Sequence, residues 1–140
     1  MSPITREYIE NIFKPLENGD YKALFAVVQD DVHWTVVNPN IKSFDVAGVY
    51  DKAGFVKAIA PLNACFPSPL ALTIQHILVD QGGHTAAVEL RAQAIANNAM
   101  KFDNFYTWIC EFDDSPQPKI KAVRAYLDSA HVKAIIDSNH

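Results

Sequence analysis

Between about residue 70 and residue 127 the chain is extended almost without interruption, and that run constrains the fold more than anything else in the sequence. Four segments, at about 70–79, 84–96, 101–112 and 119–127, alternate or run apolar and are separated only by Gly82-Gly83, Asn97-Asn98 and Asp114-Ser115-Pro116. Asn97-Asn98 tolerates left-handed backbone and suits a tight hairpin, so the central pair is expected to be antiparallel neighbours.

The first half reads differently. Ser2 and Pro3 fit an N-cap and first helical position, and Ile4, Tyr8, Ile9, Ile12, Phe13 and Leu16 then recur at spacings of three and four. Pro15 kinks or ends that helix, and Asn18-Gly19 closes it before Asp20 caps a shorter one carrying Leu24, Phe25, Val27 and Val28. The run Val32 to Val37 is a strand stopped by Asn38-Pro39-Asn40. Asp51 caps a third helix with an apolar stripe of Phe55, Val56, Ile59, Leu62 and Phe66, ending by Pro67, and Val132, Ile135 and Ile136 mark a last helix. Helices followed by antiparallel strands predict an α+β fold in which helices cover one face of a curved sheet.

With 140 residues the chain matches one domain, 1–140, and at 49% hydrophobic and 20% charged it has the balance of an ordinary globule. A chain of this length buries roughly two thirds of its unfolded surface, enough for a core without disulfide or metal staples. The formal charge of −4 argues against a nucleic-acid partner. Cys65 and Cys110 lack any metal-binding or redox spacing and read as core thiols. The N-terminal residues lack a signal-peptide pattern, and no stretch approaches the roughly 18–20 apolar residues of a membrane span. A cytoplasmic protein without metal or cofactor is expected.

Alternation sorts each strand into two faces. Glu89, Arg91 and Gln93 share one; Phe102, Asn104, Tyr106 and Trp108 share another; Ile120, Ala122, Arg124, Tyr126 and Asp128 a third. Since Phe105, Thr107 and Ile109 alternate with Asn104, Tyr106 and Trp108, both faces of that strand are largely apolar, and both are expected to be covered, one by helices and one by a partner. Glu89, Arg91, Asn104, Arg124 and Asp128 then either satisfy one another or line a pocket.

Four stretches carry a resemblance to a known family: Asp30-Asp31-Val32-His33-Trp34-Thr35-Val36, Ala47-Gly48-Val49-Tyr50, Asp103-Asn104-Phe105-Tyr106-Thr107-Trp108, and the ending from Lys119 to Ala130 with its Arg124-x-Tyr126-x-Asp128. In this order the chain resembles the SnoaL-like, ketosteroid-isomerase-related branch of the nuclear transport factor 2-like superfamily. The resemblance implies a cone made of a strongly bent antiparallel sheet wrapped around N-terminal helices, an apolar cavity between them, and often a homodimer through the outer sheet face. Members include polyketide cyclases, isomerases, dehydratases and epoxide hydrolases beside proteins with no catalysis, so the resemblance implies a pocket for a small apolar molecule rather than one reaction.

Asp128 is the leading catalytic candidate: the resemblance implies a general acid or base there, and the alternative is an N-cap for the last helix. Glu89 and Arg91, two apart on one strand face, either set its electrostatics or form a surface salt bridge; epoxide hydrolases of the superfamily carry the Arg before the acid, the reverse of the order here. Tyr50, Tyr106 and Tyr126 are candidate donors to a substrate oxygen, while Trp34, Trp108 and Phe13 are candidate cavity walls, with core packing the alternative for each. An amide in an apolar strand must be partnered, and the resemblance favours a cavity role for Asn104. Arg124 joins the substrate-binding candidates. His76, on the face assigned to Leu72, Ile74 and Leu78, is either a base reaching the cavity or a satisfied histidine. These residues together point to a cofactor-independent acid/base enzyme of isomerase, cyclase or dehydratase type on a polyketide-, terpenoid- or steroid-like ring. The rival readings are a noncatalytic ligand-binding or dimeric module of the same fold, and an epoxide hydrolase.

Overall fold

The computed structural model describes residues 4–140; the Ser2 cap and Pro3 lie outside the described residues. The helix begins instead from Thr5, whose hydroxyl accepts from the Tyr8 N–H, and α1 runs Arg6–Phe13. Pro15 then tightens the chain into a 3₁₀ turn over Lys14–Asn18, which Gly19 ends at φ 72°. α2 (Lys22–Ala26) follows, and Asp20 holds its start by accepting from the Lys22 N–H.

The strands are β1 (Val28–Val36), β2 (Gly48–Tyr50), β3 (Leu72–Val79), β4 (Thr85–Ile95), β5 (Lys101–Phe112) and β6 (Ile120–Leu127). They form one sheet in the order β2-β1-β6-β5-β4-β3. β3 to β6 make the expected antiparallel meander. β1 pairs with β6 in parallel, a long-range pairing that local patterning does not contain. The short edge strand β2 also escapes sequence reading, because three residues give no alternation to count. At the β4–β5 hairpin the left-handed residue is Ala99, at φ 73°, rather than either expected asparagine. Asn98 instead accepts from the Met100 N–H and anchors to Ser138 of α4.

α3 (Lys52–Asn63) starts at Asp51, whose side chain accepts from the Gly54 N–H at 2.7 Å. It packs against β1 and against the final helix α4 (Ser129–Ser138). α1, the 3₁₀ turn, α3 and α4 cover the concave face, where Val88, Leu90, Phe102 and Val123 are buried. The convex face carries Glu89, Arg91, Phe105, Arg124 and Tyr126. The result is a curved, mostly antiparallel sheet with one parallel pair, β1 with β6, and its helices on the inner side, an α+β fold.

At Gly19 a Cβ would lie 3.0 Å from the Pro69 carbonyl oxygen, a backbone atom, and the chain there is already left-handed. Gly19→Ala is therefore expected to cost about 1–2 kcal/mol. Gly82→Ala, where the nearest atoms stand 3.7 Å away, should stay within about 0.5 kcal/mol of the parent. Urea midpoints at unchanged m-value check both.

Candidate functional site

The bend of the sheet and the bulk of its aromatic side chains leave a cavity between β5, β6 and α3. It holds about 70 Å³. β5 supplies Tyr106 and Trp108, β6 supplies Ala125 and Leu127, and β1 supplies Val36. α3 contributes Phe55, Ile59, Leu62 and Asn63, and the chain entering and forming α2 contributes Tyr21 and Phe25. Phe44 and Val46 close it from the β1–β2 connection, Leu70 and Leu72 from the start of β3, and Val132 from α4. None of these residues is Asp, Glu, His, Lys or Arg.

The polar groups of the lining are two phenols, one amide and the Trp108 indole N–H. The Tyr21 hydroxyl donates to the Leu70 carbonyl at 2.6 Å, and burial pushes its pKa up to about 12. Burial also pushes the Tyr106 phenol far above its ordinary range, and the nearby Tyr21 phenol adds to the shift. Both are thus proton donors across the neutral range, with no charge of their own. Asn63 is exposed at the rim.

The residues singled out by sequence do not assemble around this cavity as a group. Tyr106 and Trp108 line it. Trp34 points inward and is buried, but it stacks on Phe55 at 3.9 Å and meets Trp108 edge-on at 5.4 Å, so it stands behind the wall. Its Nε1 is buried without a hydrogen-bond partner among the described residues. Phe13 lies 6.0 Å from Trp108 and is likewise core. The Tyr50 hydroxyl is spent on the Val46 carbonyl at 2.8 Å, outside the cavity lining.

The charged candidates fall elsewhere. Glu89 and Arg91 face outward because β4 places Val88, Leu90 and Ala92 inside. Arg91 forms a bidentate pair with Asp103 (2.7 and 3.0 Å) and lies 5.0 Å over the Phe105 ring. The hydrogen bonds from Arg91 hold the Asp103 carboxyl below the usual range. Arg124 pairs with Glu111 at 2.6 Å on the same outer face, where Tyr126 is 43% exposed. A register shift at Glu111/Phe112 buries both Ile120 and Val123, which takes Arg124 and Tyr126 away from the face that alternation with Ile120 had implied. A second shift between Ile74 and His76 does the same to His76, whose imidazole is exposed 4.0 Å from Glu89.

Asp128 is the N-cap of α4: its carboxylate accepts from the His131 N–H at 3.1 Å and is exposed. Asn104, 1% exposed, is fully used in holding that cap in place. Its Nδ2 donates to the Asp128 carbonyl and its Oδ1 accepts from the Asp128 N–H, both at 3.1 Å. Asp128 thus serves as the cap of α4, and the Asn104 amide finds partners in the Asp128 backbone. Among the described residues no group of three His, Cys, Asp or Glu side chains could hold a metal ion.

Sequence reading missed Tyr21, Phe44 and Asn63. Phe55, Ile59 and Leu62 carried a signal, the apolar stripe of α3, but a stripe does not tell a cavity wall from a packed core. Tyr21 and Phe44 lie outside every periodic segment and reach the cavity only by tertiary placement.

No family model matches the chain, and no curated protein does. Solved structures do match. An NTF2-like protein of unknown function from Burkholderia pseudomallei superposes with a TM-score of 0.70 at 13% identity, covering 93% of this chain and 95% of that one. A proposed SnoaL-like polyketide cyclase from Jannaschia sp. CCS1 gives 0.67 at 14%, covering 99% and 96%. TerC, co-crystallised with polyporic acid, gives 0.70 at 13%, covering 94% and 96%. The chain therefore has the nuclear transport factor 2-like fold, of the form found in SnoaL-like proteins. No helix among the described residues is long and apolar enough to cross a membrane.

The two phenols generate an alkaline prediction. Their folded pKa values lie above the unfolded value of about 10, so the stability they contribute is complete below pH 10 and is lost as pH climbs through 10 towards 12. Tyr106→Phe is expected to flatten the unfolding free energy between pH 10 and 12. Absorbance of the tyrosinate in a pH titration should show Tyr21 and Tyr106 protonated at pH 10.5, when an exposed phenol has ionised.

Proposed function

We propose that the protein binds a small, largely apolar ring molecule bearing an acceptor oxygen, in the cavity beneath the sheet, as a noncatalytic ligand-binding module. One observation carries this reading: the cavity is walled by aromatic and aliphatic side chains, its polar groups are neutral, and Asp128, Glu89 and Arg91 lie outside it. Apolar walls supply affinity by burying ring surface at about 25 cal/mol per Å², and a few placed polar groups fix orientation. Tyr106 supplies the donor. General acid/base catalysis needs a titratable group within hydrogen-bond reach of the substrate, and the lining offers only phenols held neutral. The names of the solved neighbours, a proposed polyketide cyclase and a protein crystallised with polyporic acid, attach small organic molecules to this fold and support the ligand class.

The outer sheet face supports assembly as a homodimer. Phe105, Leu78 and Tyr126 are 57%, 69% and 43% exposed there, apolar surface that a partner could cover. Cys65 and Cys110 are both free and buried, which fits a reducing compartment such as the cytoplasm.

Titration calorimetry with acetophenone, whose carbonyl only accepts, tests the binding reading. Saturable one-to-one binding is expected; Tyr106→Phe should weaken it about three- to tenfold, the worth of one net hydrogen bond. Asp128→Asn and Glu89→Gln should leave it unchanged. Failure of acetophenone to bind, or an equal loss on Asp128→Asn, overturns the reading. For assembly, Phe105→Asp is expected to turn a dimer into a monomer in sedimentation velocity, and a parent chain that sediments as a monomer refutes the dimer.

A further inference from the structure

The cavity is not sealed by core packing alone. On the outside of α2 and α3 a surface groove of about 460 Å³ runs along Lys22, Val56 and Pro69, and it shares Tyr21, Phe25, Ile59 and Asn63 with the inner cavity. Those four side chains line both spaces and form a partition between them. None of them is fully buried, and the Tyr21 ring is tethered through one hydrogen bond to the Leu70 carbonyl.

Size and polarity then say what would fill both spaces. At about 70 Å³ the inner cavity is well short of the roughly 300–1,000 Å³ of ordinary small-molecule sites, whereas the groove brings the joined space into that range. The polar groups of the inner lining are those of Tyr21, Asn63, Tyr106 and Trp108. The first two belong to the partition, and the Tyr106 phenol lies within electrostatic reach of the Tyr21 phenol. Much of the hydrogen-bonding capacity is therefore gathered at the partition, with apolar surface on either side of it.

We infer that the inner cavity and the outer groove form one two-compartment site for an elongated molecule with an acceptor oxygen flanked by two apolar arms. The ring arm lies inside, the oxygen stands at the level of Tyr21 and Tyr106, and the second arm crosses the partition and lies along Val56. This rests on the reading of the cavity as a ligand site and adds the shape of the ligand to it.

Alkyl phenyl ketones have that shape and allow the two claims to be separated. From acetophenone to octanophenone the ring and carbonyl stay constant while six methylenes are added on the far side of the oxygen. Full burial of each methylene is worth about fourfold in affinity, so the partly open groove should give octanophenone at least a tenfold advantage. Val56 is 49% exposed and lines the groove but not the inner cavity. Val56→Asp is expected to abolish that advantage while leaving acetophenone binding intact, which also shows that the variant is folded. If octanophenone binds no tighter than acetophenone, or keeps its advantage in Val56→Asp, the two-compartment site is wrong and the single-cavity reading stands. If acetophenone itself does not bind the parent chain, both fall together.

Discussion

The stack of Trp34 on Phe55 is the contact on which the rest of the molecule depends. Its ring centroids are 3.9 Å apart with planes nearly parallel, and it joins β1 to α3 across the widest part of the concave face. Phe25 extends the stack on one side and Trp108 meets it edge-on from the other. Offset and edge-to-face ring pairs contribute about 0.5–1.5 kcal/mol each beyond the area they bury, so this cluster is a strong tie between layers. It also sets a spacing. Large rigid rings prop α3 off the sheet, and where the small residue Ala125 faces α3 the gap is not filled; there the cavity lies.

The two faces of the sheet solve different problems. Inside, β4 and β5 bury an almost continuous apolar surface, and Asn104 there spends both ends of its amide on the backbone of Asp128. A buried amide so used stabilises through satisfied hydrogen bonds and fixes where β6 stops and α4 starts. Outside, charge is organised in cross-strand pairs, Arg91 with Asp103 and Arg124 with Glu111, leaving Phe105 and Leu78 between and beside them. Such half-exposed ion pairs contribute little to stability.

Chemistry follows from that division. The carboxylates and guanidinium groups that suggest acid/base catalysis sit on the outer face or at a helix cap, while the cavity lining keeps two phenols, one amide and one indole N–H. A buried donor left unpaired costs about 1–3 kcal/mol.

Much of this was legible in the sequence. The order of helices and strands, the meander, the inward Trp34 and the capping roles of Asp51 and Asp128 follow from periodicity and side-chain chemistry, which act within a few residues. The outward turn of Glu89 and Arg91 was also implicit, because their neighbours Val88, Leu90 and Ala92 are apolar. What alternation could not foresee were the register shifts at Ile74/His76 and Glu111/Phe112, where one extra residue sends His76, Arg124 and Tyr126 to the opposite face from the one counted. The parallel pairing of β1 with β6, the use of Tyr21 and Asn63 as a partition, and the cavity itself were decided only by tertiary structure. Each depends on groups distant in the chain meeting across a bent sheet, and empty space between them leaves no pattern in the residues that border it.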